Sequence, residues 1–203
     1  MIDREMFFDQ VRETIYSGSL TADQVACLDA ALDCWILYSL RGGGAGKLRG
    51  DEMATDIRWL AYILATAWHE ARSVPVRETF ARFDKDVHLS ASYAAIDAES
   101  GERFYGRGLV QLTHKSGYAG QSELWGVDLV AAPDIALGMH AANLIMFAGM
   151  ILGSFTGKKL ADYINEDGCD YFNARRIVNG TDKAELIADY AEAFEAALID
   201  AGG

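Results

Sequence analysis

Apolar residues recur every three to four positions along most of the chain, a period that predicts helices rather than strands. Phe7, Phe8, Val11 and Ile15 mark a first helix that Gly18 ends. Thr21 and Gln24 then have the spacing of a capping box, in which the two side chains satisfy each other's backbone N–H groups. The helix they open carries Val25, Leu28, Leu32, Trp35 and Ile36 on one face and stops before a glycine-rich stretch at 41–47. A third helix, 56–70, has the clearest stripe: Trp59, Leu60, Ile63, Leu64 and Ala67. The period dissolves over 79–104, which predicts a long surface loop, and 104–113 reads as a turn followed by a short β-like run. A buried helix is expected around 135–151. A last one runs from about 183, with Leu186, Ile187, Tyr190, Phe194 and Leu198 inward and Asp182 and Glu185 able to cap its start. Five or six helices with at most a short β segment make the class mainly α. No repeat or linker divides the chain, so residues 1–203 read as one domain, with 1–50 as a helical extension packed on its core.

Composition narrows the options. The 203 residues suit one full core, and 51% hydrophobic content with two prolines argues against disorder. Cys27 and Cys34 lie two helical turns apart and both face inward on this reading. With Cys169 they make an odd count, so no disulfide framework is expected and a reducing compartment of synthesis is. A net charge of −12 disfavours a nucleic-acid partner, which needs a basic stripe. It also opposes approach to an anionic bacterial wall, a cost that salt screens over about 10 Å. The charged N-terminus lacks the pattern of a secretory signal, so the chain is expected to be cytoplasmic on synthesis. The stretch 135–157 carries no Asp, Glu, Lys or Arg, which raises a membrane span. His140, Asn143 and several glycines inside it favour a buried helix, and no stable membrane insertion is expected.

Two motifs fail on inspection. A phosphate-cradling loop around 41–48 would need a glycine and a hydroxyl residue where Arg41 and Leu48 stand, so the segment is a connector. The pair His69-Glu70 suggests a zinc helix, yet the second histidine would fall at Ser73, and the four histidines are scattered. No metal or cofactor is expected.

The carboxylates hold more chemistry. Glu70 follows Ile63 and Ala67 on the buried stripe, at the C-terminal end of its helix. Lost solvation and the negative helix end both disfavour the ionised form, which is what a general acid requires. A solvated glutamate at a frayed helix end fits the position equally well. Glu78 follows eight residues later, enough chain to turn back and set a second carboxylate opposite the first. Inverting glycosidases place such a pair roughly 6.5–9.5 Å apart around a water. Spacing alone favours a solvated turn residue beside Arg77.

Four blocks carry a resemblance. They are Trp59 to Glu70 (ending Ala67-Trp68-His69-Glu70), Pro75-Val76-Arg77-Glu78, Tyr105-Gly106-Arg107-Gly108-Leu109-Val110-Gln111-Leu112-Thr113, and Asn173-Ala174-Arg175-Arg176-Ile177-Val178-Asn179-Gly180. In order and content they resemble glycoside hydrolase family 19, which includes chitinases and phage endolysins. The third block is the most specific. The resemblance implies a lysozyme-like helical domain with a substrate cleft and an inverting, single-displacement reaction. It implies Glu70 as the acid that protonates the glycosidic oxygen, Glu78 as the base that activates water, and Thr113 as the hydroxyl that helps hold this water. It places Tyr105, Gln111, Tyr118 and Asn179 along the sugar cleft, with Arg107 and Arg176 there too unless they brace the core, and His69 beside the acid.

Ala71 and Arg72 replace the small polar residue and glycines that usually follow His-Glu, Gly117 replaces an asparagine, and the cysteines of the plant enzymes are missing. These departures lean toward the phage and bacterial branch. The first reading is therefore a monomeric muramidase-type endolysin that acts on peptidoglycan of the cell wall after release. An endochitinase, a lytic transglycosylase using one acid, and a catalytically inactive glycan-binding relative remain open.

Overall fold

The strongest apolar stripe in the sequence becomes a deeply buried helix. In the computed structural model, which describes residues 2–41, 56–78 and 95–203, helix α3 spans Ile57–Ala71 and buries nine side chains. Leu60, Ile63 and Leu64 are wholly inside, and each such burial stabilises the fold by roughly 1.5–3 kcal/mol. Asp56 caps the start of α3 by accepting from Arg58 N at 3.0 Å.

Before α3 come α1 (Arg4–Thr14), capped by Asp3, and α2 (Ala22–Arg41). The predicted capping box is present: Thr21 N donates to Gln24 Oε1 at 3.0 Å, and Gln24 N donates to Thr21 Oγ1 at 3.2 Å. After α3 come α4 (His114–Trp125), α5 (Met139–Leu152), the short α6 (Tyr171–Ala174) and α7 (Ala184–Asp200). Helix α7 lies along α3, α5 packs on α2, and α1 packs on α7. Phe7, Val11, Leu28, Leu32, Leu60, Phe147 and Phe194 join one core, so residues from the first forty share it with the rest. A smaller cluster of Phe104, Leu112, Tyr118, Leu129, Ala136 and Ile145 underlies α4. Cys27 and Cys34 are buried free thiols, and burial pushes them up to about 11 and about 12.

Strand content is slight. Strand β1 (Val76–Arg77) pairs antiparallel with β2 (Arg107–Gly108), and β3 (Ile164–Asn165) with β4 (Gly168–Cys169). The β-like run predicted after the turn at 104–113 is thus corrected. The strand is two residues long and comes before the turn. Gly108 (φ 86°) and Gln111 (φ 53°) then reverse the chain, so that Leu112 N donates back to Arg107 O at 2.9 Å. A Cβ on Gly108 would stand 2.9 Å from Ala136 O, so the turn also needs glycine for space.

Two helix starts and one inward position differ from the prediction. The buried helix starts at Met139, because Gly138 is extended and the preceding 133–137 form a 3-10 turn begun by Pro133. No described helix is long and apolar enough to cross a membrane. At α7, neither Asp182 nor Glu185 caps the start; left-handed Lys183 (φ 57°) occupies the cap position. Leu186, predicted inward, is exposed, while Ile187, Ala191, Phe194 and Leu198 form the buried stripe. The glycine-rich stretch from 42 on and residues 79–94 of the predicted surface loop lie outside the described residues.

Candidate active site

Glu70 stands in the last turn of α3, and its side chain retains 21% of its surface. The helix ends in two successive left-handed residues, Arg72 (φ 53°) and Ser73 (φ 55°), whose N–H groups return to Trp68 O and Ala67 O at 3.0 Å. Such geometry favours glycine. Here neighbouring side chains hold the turn instead. Ser73 Oγ lies 2.6 Å from the Tyr16 hydroxyl in a buried pair, Gln24 Nε2 donates to Arg72 O at 3.1 Å, and the Arg72 guanidinium sits 4.7 Å over the Trp68 ring. Tyr16 and Gln24 belong to the N-terminal forty residues, so that segment braces the turn behind Glu70.

Facing Glu70 is a residue that the sequence reading passes over. Arg175, only 3% exposed, donates from Nη1 to Glu70 Oε1 at 2.5 Å and from Nε to Asp182 O at 3.1 Å. Arg176, the one expected near the sugar, is exposed and reaches Asn173 Oδ1 at 3.3 Å. The distinction was available in the pattern: Tyr171, Ala174, Arg175 and Val178 share one helical stripe and Arg176 lies off it. The bond to Oε1 leaves Oε2 as the oxygen able to carry a proton. His69, beside this pair, has its pKa lowered chiefly by burial and also by Arg175 and Arg72, so its imidazole is neutral at pH 7.

Glu78 follows β1 and is held twice by one glycine. Its N–H donates to Gly106 O at 2.9 Å, and its Oε2 accepts from Gly106 N at 3.2 Å. Gln111 closes on the same point from its left-handed backbone, and its Nε2 donates to Val76 O and Gly108 O at 3.2 Å each. A Cβ at Gly106 would lie 2.5 Å from Gln111 Oε1 and 3.1 Å from Glu78 Oε2. The structure therefore brings Glu78 and Gln111 together over Gly106, where any side chain would displace the Gln111 amide.

Three of the residues expected along the cleft are buried against one another and form a brace. Tyr118 is wholly buried, Tyr105 and Arg107 each 3% exposed. The Arg107 guanidinium lies 3.9 Å from the Tyr105 ring centre and donates to Tyr118 Oη at 3.1 Å, Arg103 O at 2.8 Å and Asp134 Oδ1 at 2.7 Å. Tyr118 donates in turn to Tyr105 O at 2.9 Å, and burial pushes its phenol up to about 12. Arg77 shares Asp134, tying β1 to the same knot. This cluster fixes β2, and through it Gly106 and Glu78.

Thr113 is the N-cap residue of α4, yet its hydroxyl makes no capping bond. With Gln111 it lines a cavity of about 640 Å³ that extends across α4 to Phe155 and Val178. That volume lies within the range of about 300–1,000 Å³ usual for ligand pockets. Asn179 is exposed beyond Val178, and its Oδ1 accepts from Gly180 N at 2.8 Å. Among the described residues no His, Cys, Asp and Glu side chains are grouped to hold a metal.

No family model matches the sequence, and no curated protein sequence is similar to it. Solved structures are. One is a bacterial family 19 chitinase, with a TM-score of 0.56 and 19% identity over 97% of this chain and 94% of that one. Another is chitinase C from Streptomyces griseus HUT6037, with a TM-score of 0.58 and 17% identity over 97% of this chain and 76% of that one. At such identities the likeness concerns the fold.

Proposed function

We propose, from the premise that this chain has the mainly helical, lysozyme-like fold of the family 19 chitinases, that it hydrolyses β-1,4 bonds between N-acetylated amino sugars. One observation carries the reading. A carboxyl at the end of a deeply buried helix is oriented by a buried arginine, and a second carboxylate is pinned near Gln111 by a backbone N–H. Fold alone does not assign chemistry, so the weight rests on this site.

In the proposed reaction Glu70 gives the proton on Oε2 to the bridging oxygen as the bond from that oxygen to the anomeric carbon breaks. Glu78 takes a proton from a water whose oxygen bonds to the same carbon from the opposite face. Arg175 stays bonded to Oε1 throughout and stabilises the carboxylate that Glu70 becomes. Glu78 ends protonated, and exchange with solvent restores both groups. Thr113, free of a capping duty, has the hydroxyl to help hold the water.

Peptidoglycan is the substrate we favour, on the departures from the plant pattern and the open cavity beside Thr113. Chitin is the second reading, favoured by the names of the structural neighbours. The test is product analysis by mass and reducing end on purified peptidoglycan and on chitohexaose, with anomer detection by NMR. Wild type should invert configuration and yield new N-acetylmuramic acid ends. Glu70→Gln and Glu78→Gln should each lower kcat by roughly 10²–10⁴-fold with the fold intact. Full activity in Glu70→Gln would refute the assignment; anhydro ends with an active Glu78→Gln would replace it by a transglycosylase.

A further inference from the structure

Between Glu70 and Glu78 the chain reverses at Arg72 (φ 53°) and Ser73 (φ 55°). A left-handed backbone crowds Cβ against the following carbonyl oxygen, so two such residues in succession persist only where their surroundings hold them. Continued right-handed, α3 would run on past Ala71 and carry β1 and Glu78 away from Gly106. The hold comes from the first two helices. Helix α1 closes in a left-handed turn of its own, at Ser17 (φ 54°) and Gly18 (φ 87°), and Tyr16, just before that turn, meets Ser73. Tyr16 is 5% exposed and Ser73 wholly buried, with their hydroxyl oxygens 2.6 Å apart. The Tyr16 ring also lies 4.4 Å from the Trp68 ring, centre to centre. Gln24 divides its amide between two tasks. Its Oε1 accepts from Thr21 N at the start of α2, while its Nε2 donates to Arg72 O. Both left-handed residues are thus held by side chains that come from outside α3.

We infer that Tyr16 is a positioning residue for the two carboxylates: through Ser73 it keeps the reversal left-handed, so that Glu70 meets Arg175 while Glu78 meets Gly106. The inference rests on the glycosidase reading and deepens it, since it makes α1 part of the machinery that sets acid against base. A misplacement of about 1 Å is enough to lower a rate roughly 10²-fold. The role also makes a demand that a merely stabilising contact does not. Glycine adopts a left-handed backbone without crowding, so glycine at 73 should make Tyr16 dispensable, whereas alanine should not.

Three variants test this: Tyr16→Phe alone, with Ser73→Ala, and with Ser73→Gly. Tyr16→Phe keeps the ring against Trp68 and removes only the hydroxyl. Rates are measured on chitohexaose and peptidoglycan, and stability by urea unfolding. Tyr16→Phe should lower kcat by roughly tenfold or more while KM changes little. Adding Ser73→Ala removes the orphaned hydroxyl, so the urea midpoint should recover while kcat stays low. With Ser73→Gly instead, kcat should return to within about threefold of wild type. The Glu70 carboxyl carbon signal, read by NMR, gives a measure without turnover. It should be displaced in Tyr16→Phe and return in the glycine double variant. An unchanged kcat or an unmoved Glu70 signal in Tyr16→Phe would overturn the inference, and so would equal kcat in the two double variants. If wild type cleaves neither glycan, the glycosidase reading falls, and the carbon signals still decide whether Tyr16 positions Glu70.

Discussion

Removing the arginine behind Glu70 tests whether the acid is held or merely nearby. Arg175→Met keeps most of the stem volume and deletes the guanidinium. Two bonds go: the one at 2.5 Å to Glu70 Oε1 and the one at 3.1 Å to Asp182 O. A bond to a charged partner contributes about 1.5–3 kcal/mol and a neutral one about 0.5–1.5 kcal/mol. Breaking a fully buried pair costs about 3–5 kcal/mol. Water reaches Glu70, whose side chain is 21% exposed, so the lower part of that range applies. A loss of about 3 kcal/mol follows, or roughly 6–12 °C in Tm for a chain of this length. The orientation of Glu70 should suffer as well, lowering kcat by roughly 10–100-fold with a smaller change in KM. Urea unfolding and initial rates on chitohexaose or peptidoglycan measure both. Arg176→Met is the control, expected within about 0.5 kcal/mol of wild type. If the two variants are equally stable and equally active, the role given to Arg175 is wrong.

Gly106→Ala should reduce kcat by roughly 10–100-fold, because its Cβ would stand 2.5 Å from Gln111 Oε1 and displace the Glu78 clamp. Gly168→Ala, at a position with open space, should leave the rate unchanged. Tyr16→Phe should cost about 1–3 kcal/mol, since it leaves the buried Ser73 hydroxyl unpaired. In the double variant with Ser73→Ala the two losses should sum to less than their separate values by urea denaturation. For His69, burial holds the folded-state pKa below the ordinary 6.5, so between those values the unfolded chain binds the extra proton. Stability should therefore fall as pH drops through that window. His69→Gln should flatten the fall in urea midpoints recorded from about pH 7.5 to pH 5.

Long, strongly periodic segments were legible from residues alone. The stripe of α3, the inward positions Phe7 and Val11, and the Thr21–Gln24 box depend on neighbours three or four residues apart, which sequence displays directly. What stayed hidden depends on backbone reversals and on contacts between distant segments. The run at 104–113 looked like a strand because nothing in Gln111 announces a left-handed residue. The burial of Tyr118 against Arg107 also depends on that reversal, which brings the two together. The Glu78 clamp needs Gly106, 28 residues away, and no local pattern contains it. Arg175 differs: the stripe that buries it, Tyr171, Ala174, Arg175 and Val178, is visible in the residues themselves.

The two carboxylates are mounted on supports of very different permanence. Glu70 terminates a helix with nine interior residues, whose amide protons should exchange with deuterium only when the entire domain opens. Glu78 hangs from a two-residue ladder with solvent on both side chains, which can part and re-form at little cost. Heat inactivation should therefore coincide with global melting and show no separate earlier phase from loss of the acid. Adjustment to a bound chain then falls to the base, as with a fixed anvil and a jointed hammer.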